Sequence, residues 1–428
     1  MKVLFINDST SNPNWGDRAA AISLRAMISA RGGQIVHAVS ELDLVLASFG
    51  ERPVPQELAG KRRAREVATA LAPPALAQIK RKIGQRSASS RESRLIPRAW
   101  KDFEPSARRV LDKKGVWPDF WRTIQDIDVA VIHGDGAMVG NGAHPRTILF
   151  LSYLIKKHFD KPVIIVNHTA DFDQPDLREM AQHVYPLFDD VVFRDPVSAE
   201  RCKTFCAGRF APDTTFWFEP VDPEAWVPLA RRMTYFDVWP DTARFDPAQP
   251  YLCLGGSSIF ATLGQRNALA DEYRRLVEHL QSVYSGQIVL TVSDIVDQGI
   301  FRPLAEQLKL PLIGLTTPVQ LVADVLGNAD AYIGGRWHPS IFALRGGAPI
   351  LPLSAKTFKM RALTDMAGLP VTAFDALHPE RDQQAIGRQL LSYVERRNEL
   401  RASLRDWAEE MAADSWNNVA YLDRGQLH

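Results

Sequence analysis

Twice along this chain, short apolar runs rich in β-branched residues alternate with stretches of helical spacing, and that rhythm constrains the fold more than any other feature. The first round has runs at Val3 to Ile6, Ile35 to Val39, Val129 to His133, Val163 to Asn167 and Val191 to Phe193. Helical patterns lie between them: Arg18 to Ala30 before Gly32-Gly33, one after Pro145, one from Asp176 to Phe188 and one from Val197 to Phe205. An apolar run without polar alternation suits a strand buried on both faces, and strand-helix-strand succession requires parallel pairing with helices covering the sheet. The prediction is a doubly wound α/β sheet. From Trp226 to Pro250 the pattern fades among Pro228, Pro240, Pro247 and Pro250, then resumes at Tyr251 to Leu254, Ile288 to Val292, Leu312-Ile313, Ala331 to Ile333 and Ile350 to Leu353. Helices are expected at Ala268 to Tyr284, Pro318 to Leu326 and Pro339 to Leu344. The 428 residues exceed what one core organises. We therefore expect an N-terminal domain over 1–225, a linker over 226–250 and a second sheet of the same class over 251–411. The helical region from Arg381 onward carries Trp407 and Trp416, and its end, 412–428, is expected to pack back on the first domain.

One segment interrupts the rhythm. Residues 57–118 read as an insertion, and from Lys61 to Lys114 they are strongly basic, although the chain as a whole balances 51 Lys plus Arg against 50 Asp plus Glu. A solvated insertion explains this. A helix with Leu76, Ile79 and Ile83 among Lys80, Arg81 and Lys82, lying on an anionic bilayer surface, is the sharper reading of 61–114. Overall neutrality argues against nucleic acid as a partner. Cys202, Cys206 and Cys253 cannot build a disulfide framework and have no partner His or Cys pair at zinc spacing, so a reducing, cytoplasmic setting without a bound metal is expected. No apolar run approaches the length of a membrane span, and no dinucleotide fingerprint, Walker loop or Gly-x-Ser-x-Gly elbow is found.

Chemistry concentrates where strands should end. Ala331 to Gly335 followed by Arg336-Trp337-His338-Pro339 reads as strand, glycine turn and helix, with Pro339 in the first helical turn. Such a junction aims free N–H groups and the positive end of a helix at one point, where anions bind. Arg336 adds a fork for carboxylate or phosphate, and His338 a group that exchanges protons near neutral pH. Alternatively both are tied to neighbouring carboxylates. Lys359, downstream of the next strand, either faces the same cleft or is solvated. Asn14, Gly16 and Asp17 open the first helix, where Asp17 could cap it or meet a substrate. His133 and Asp135 end another strand, Arg194 a third, and Asp213-Thr214-Thr215 forms an acidic turn.

Asn14-Trp15-Gly16-Asp17, His133-Gly134-Asp135-Gly136, Arg194-Asp195-Pro196-Val197-Ser198, Asp213-Thr214-Thr215-Phe216 and Gly335-Arg336-Trp337-His338, with Lys359 downstream, resemble in order and spacing the polysaccharide pyruvyl transferase family. The resemblance implies two Rossmann-like domains facing across a cleft in the glycosyltransferase-B arrangement. It also implies transfer of a pyruvyl group from phosphoenolpyruvate to a sugar, forming a cyclic ketal on a cell-envelope or exopolysaccharide glycan, lipid-linked or polymeric, with no further cofactor. By the same resemblance Arg194, Arg336, Trp337, His338 and Lys359 would hold the donor. Asn14, Gly16, Asp17, His133 and Asp135 would line the cleft on the acceptor side, with His338 as acid or phosphate-neutralising group and Asp17 as base. Two other readings share these residues: a nucleotide-sugar glycosyltransferase of the same architecture, and a noncatalytic ligand-binding homologue.

Overall fold

The apolar runs pair side by side into two sheets, one per round of the rhythm. The structure, a computed structural model, describes residues 1–46, 95–112, 117–232, 238–239, 245–262 and 267–426. The first sheet comprises β1 (Lys2–Asp8), β2 (Gln34–Ser40), β3 (Val129–Val139), β4 (Val163–Asp171), β5 (Asp190–Phe193) and β6 (Arg209–Phe210), all parallel, in the order β2-β1-β3-β4-β5-β6. The second comprises β7 (Val238–Trp239), β8 (Tyr251–Ser257), β9 (Gln287–Thr291), β10 (Leu312–Ile313), β11 (Tyr332–Gly335) and β12 (Ile350–Pro352), in the order β12-β11-β8-β9-β10-β7. Its strands are parallel except β7, which runs antiparallel along β10 at the edge.

In each sheet the winding reverses once. The chain leaves β1 toward β2 on one side and later adds β3 on the other, and it leaves β8 toward β9 and later adds β11 on the other. A crevice opens at the carboxyl ends of the strands on either side of such a reversal, because the two following helices depart in opposite directions. The helices that matter below are α1 (Trp15–Ala30), α2 (Phe103–Asp112), α3 (Ala143–Phe159), α4 (Pro196–Cys202), α5 (Ile295–Leu308), α6 (Trp337–Arg345), α7 (Lys359–Met366) and α8 (Arg397–Ser415). Helix α1 follows β1 and α6 follows β11, so each starts at its own sheet's crevice. The two starts meet. Trp15 and Ala19 of α1 belong to the apolar core of the second half. The Trp15 backbone N–H donates to Ser293 O at 3.3 Å and its indole N–H to Gly314 O at 3.1 Å.

Three expectations change. Residues 226–250 are not a bare linker: Trp226 is buried against Tyr251, Phe245 packs on the same ring, and β7 completes the second sheet. Pro228 sits inside the short helix Pro223–Ala230, which is compatible with burying the Trp226 indole of roughly 150–250 Å². The end of the basic insertion, 95–112, is part of the first domain's core rather than a solvated excursion from it, because α2 puts Phe103, Ala107 and Val110 inside at helical spacing. The proposed membrane-surface helix around Leu76, Ile79 and Ile83 lies outside the described residues. The sequence reading also passed over α5, which Asp294 caps by accepting from the Val296 N–H at 3.0 Å. At the far end, α8 leads into a 3-10 segment (Trp416–Gln426) that returns to the first half, where Val419 and Leu422 are buried beneath the sheet. Among the described residues no helix is long and apolar enough to cross a membrane.

Candidate active site

Both crevices face one another, and the side chains at their strand ends interlock across the gap. From the first half, Arg194 emerges at the end of β5. Its Nη1 contacts the Asp135 carboxylate and lies 3.1 Å from Asp213 Oδ2, while Nε donates to Thr169 Oγ1 at 3.0 Å. From the second half, Trp337 and His338 open α6 and reach over. The Trp337 indole donates to Asp213 Oδ2 at 2.9 Å, and its ring lies under the Arg194 guanidinium at 5.0 Å. His338 Nε2 stands 3.2 Å from Arg194 Nη1, 3.4 Å from Asp213 Oδ2 and 3.6 Å from Asp135 Oδ1. Asp213 is the hub of this contact. It is fully buried, and its other oxygen accepts from Thr215 N–H at 2.9 Å and Thr215 Oγ at 2.7 Å. Burial alone would push its carboxyl up; His338, Arg194 and the Thr215 N–H outweigh that and hold it well below the usual range. Asp135 follows the same balance, with burial opposed by Arg194 and His338, and is likewise depressed.

Gly16 explains how the halves come so close. It lies in the first turn of α1 directly against the His338 ring, and a methyl group at that position would overlap the ring. Asn14 caps the helix, accepting from Gly16 N–H at 2.9 Å, and donates from its amide to Asp294 Oδ2 of the other half at 3.1 Å. Asp17, one residue on, has a carboxyl pushed well above the usual range by burial and by the neighbouring Asp135, Glu41 and Asp294. Two carboxyl groups that share a site cannot both ionise easily, so the shifts of Asp17 and Asp135 run in opposite directions. Asn12 donates to both Asp17 Oδ2, at 3.2 Å, and Glu41 Oε2, at 2.7 Å, which adds Glu41 to this wall.

Arg336 is the N-cap residue of α6 and is not free: Nη2 donates to Asp297 Oδ1 at 2.6 Å and Nη1 to Asp294 Oδ2 at 3.3 Å. The alternative in which the arginine is tied to carboxylates therefore holds for these two nitrogens, while its Nε is buried without a hydrogen-bond partner. Asp297 is fully buried, and burial pushes its carboxyl up to about 6 against the pull of Arg336. Half-buried Lys359 opens α7 and makes no ion pair with any described residue. Burial, then Arg194 and Arg336, bring its ammonium down to about 8, with Asp135 and Asp17 opposing. This is an unneutralised cation among two arginines.

The structure thus gathers Asn14, Gly16, Asp17, Asp135, Arg194, Arg336, Trp337, His338 and Lys359 around one point. His133 is a correction. It was expected to line the cleft, yet it is fully buried, stacked on Phe5 at 6.3 Å with Nε2 3.3 Å from the Asn167 amide. It sits within the β1-β3-β4 pairing, one step too deep to reach the crevice. Missed from the sequence were the partners that fix the charged groups: Asp213 as a hub, Thr169, Glu41, Asp294 and Asp297. Asp17, Asp135 and His338 place ligand atoms within 4.8 Å of one another, a spacing that could hold a cation. Arg194 already occupies Asp135, and Lys359 and Arg336 oppose a cation there, so the arrangement suits an anion better.

A family model for polysaccharide pyruvyl transferase matches residues 79–356. No curated protein matches the sequence. Among solved structures, Arabidopsis thaliana UGT89C1 complexed with quercetin superposes with a TM-score of 0.55 at 12% identity, covering 100% of this chain and 99% of the other. A Listeria monocytogenes protein assigned as a UDP-N-acetylglucosamine 2-epimerase gives 0.53 at 12% identity, over 100% and 96% of the two chains. The spinosyn rhamnosyltransferase SpnG gives 0.51 at 13%, covering both chains fully. At these identities the likeness concerns the fold, two Rossmann-like halves in the glycosyltransferase-B arrangement.

Proposed function

Because this chain belongs to the polysaccharide pyruvyl transferase family, and is therefore a transferase of glycan modification, we propose that its cleft moves the pyruvyl group of phosphoenolpyruvate onto two hydroxyls of one glycan sugar as a cyclic ketal. The observation that carries this reading is the convergence, at one point, of two helix starts with Arg194, Arg336, His338 and the unpaired Lys359. A small ligand bearing both a carboxylate and a phosphate needs such a double set of donors, and a neutral sugar does not.

In the reaction, the enol carbon of the donor gains a proton and the adjacent carbon takes the oxygen of one sugar hydroxyl. The bond to phosphate then breaks and a second hydroxyl closes the ketal. Of the two hydroxyl protons, one matches the proton gained by carbon and the other leaves with phosphate. Asp17 is better suited to supply the first proton than to act as the base, because burial and its acidic neighbours raise its carboxyl well above the usual range. His338, between Asp213 and Asp135, is placed to neutralise the departing phosphate. We place the reaction in the cytoplasm, in keeping with three free cysteines, with a lipid-linked or polymeric cell-envelope glycan as acceptor.

A nucleotide sugar fits less well. Where a diphosphate would approach the backbone at the end of β8, the space beside Gly256 is taken by Asp297, and that beside Gly335 by Ser257. Both occupants are the protein's own side chains, and one is acidic.

Thermal stability with phosphoenolpyruvate, phosphate or a nucleotide sugar tests the reading. A ligand of the native state stabilises by about 2.7 kcal/mol at a hundred times its dissociation constant. We expect such a rise with phosphoenolpyruvate and its loss in Lys359→Met, a substitution that orphans no carboxylate. A rise with the nucleotide sugar alone would transfer the assignment to glycosyl transfer. With a competent acceptor, His338→Gln should slow phosphate release by about 10²–10⁴-fold.

A further inference from the structure

Away from the convergence point, an aromatic contact near the start of α7 also joins the two halves across the cleft. Arg201, in the last turn of α4, places its guanidinium over the Phe358 ring at 4.2 Å from the centroid. Phe358 is the residue from which α7 starts, and Lys359 is the first residue of that helix. The guanidinium is itself oriented from the first half, donating to Asp171 Oδ1 at 3.1 Å with Asp173 at 3.9 Å. At its other end the β12–α7 connection is fastened to its own half: Ser354 N–H donates to Phe374 O at 2.7 Å and Lys356 N–H to Ser258 Oγ at 3.1 Å.

We propose that the Arg201–Phe358 stack is a latch across the cleft that sets Lys359 in the anion site, making Arg201 and Phe358 positioning residues for the donor. The proposal rests on the donor reading of Lys359 given above. Helix α7 is rooted in the second half through Met360 and Leu363, and the stack on Phe358 ties its first turn, with Lys359, to the wall of the first half. Asp171 and Asp173 hold the guanidinium flat, and a planar cation stacks on an aromatic face more effectively than a mobile ammonium. Arg201 is 45% exposed, so the latch lies at the rim and its removal leaves the cores of both halves untouched. An anion that needs both walls binds with an affinity reduced by the fraction of molecules in the closed form.

The test uses the full chain and phosphoenolpyruvate as probe, in the wild type, Phe358→Leu, Phe358→Tyr and Arg201→Gln. Phe358→Leu keeps the apolar contact and removes the aromatic face. It should weaken phosphoenolpyruvate binding about five- to tenfold, the range of one partly exposed cation–π contact, with ligand-free melting unchanged, and Phe358→Tyr should restore it. Combining Phe358→Leu with Arg201→Gln should cost no more than either alone, because both remove the same contact. Equal affinity in the wild type and Phe358→Leu overturns the latch. If the wild type itself ignores phosphoenolpyruvate, the donor reading fails, and small-angle scattering decides the latch separately. A larger radius of gyration in Phe358→Leu and Arg201→Gln supports it, and unchanged profiles refute it.

Discussion

The same topological feature occurs twice in this molecule and is finished in two ways. In the first half, β1, β3 and β4 carry short polar residues with left-handed backbone in their carboxyl-terminal parts, Asn7 at φ 70°, Asp135 at φ 42° and Asn167 at φ 54°, a conformation that Asn and Asp tolerate by bonding locally. Their side chains stitch the wall together: Asn7 donates to His133 O at 2.7 Å, and Asn167 donates to Thr214 Oγ1 at 3.1 Å. In the second half the strands end in glycines, and large side chains rise through the space these leave, so the wall is a buried ion pair of Arg336 and Asp297. The first wall combines these directional bonds with the buried Arg194, Asp135 and Asp213 cluster, and the second rests chiefly on its ion pair. Parallel topology decides where a cleft forms, while the residue at each strand end decides what the cleft can bind.

The contrast can be broken most forcefully from the charged side. Arg336→Ala leaves Asp297 buried without its partner and should lower unfolding free energy by about 3–5 kcal/mol in denaturant titration; a loss under about 1 kcal/mol would show that the second wall does not depend on the pair. Next comes the seam between the walls. Gly16→Ala should cost about 1–3 kcal/mol by overpacking against His338 and abolish stabilisation by phosphoenolpyruvate.

Titration separates the walls by sign. Asp297, raised to about 6, keeps its proton in the fold at pH values where the unfolded chain has lost it, so it withdraws stability as pH climbs from about 4 to about 6. Asp213, depressed, does the reverse: its contribution is present above the ordinary carboxylate range and is lost as pH falls below it. Stability measured against pH should therefore lose its declining limb between about 4 and 6 in Asp297→Asn and soften its acid limb in Asp213→Asn. The smallest effect concerns Lys359. Phosphoenolpyruvate affinity should fall by at most about tenfold per pH unit above about 8, as the ammonium is lost, and this slope should vanish in Lys359→Met.

Much of this was legible in the order of residues. The strand runs, the junction at Gly335-Arg336-Trp337-His338 and the first helix at Asn14 to Asp17 each carry a local signal, because strand burial and helix starts are decided within a few residues. What escaped was whatever depends on partners far along the chain. Nothing near Arg336 reveals that residues 294 and 297 will neutralise it, because they sit about forty residues earlier at the start of a helix that carries Pro303 inside it. Asp213 was visible as an acidic turn, but its role as hub requires Trp337 and His338, more than a hundred residues away. The Phe103, Ala107 and Val110 stripe was available and was obscured by the surrounding basic charge. Proline density suggested a linker at 226–250, although proline says nothing about whether the tryptophan beside it is buried.

The returning C-terminal segment has a consequence for the order of synthesis. Asn418 accepts from the Asn167 backbone N–H at 2.9 Å and donates to Pro212 O at 2.8 Å, so it braces the strand end that carries Asn167 and the turn that leads into Asp213. On the ribosome, roughly ten to forty seconds separate the emergence of that turn from the emergence of its brace, at about 5–20 residues per second. Through that interval the first half waits with the groove for Val419 and Leu422 open to water, while the whole second half is made. The nascent chain therefore has a defined window in which a chaperone, or another nascent copy, can reach a surface that the finished enzyme never shows.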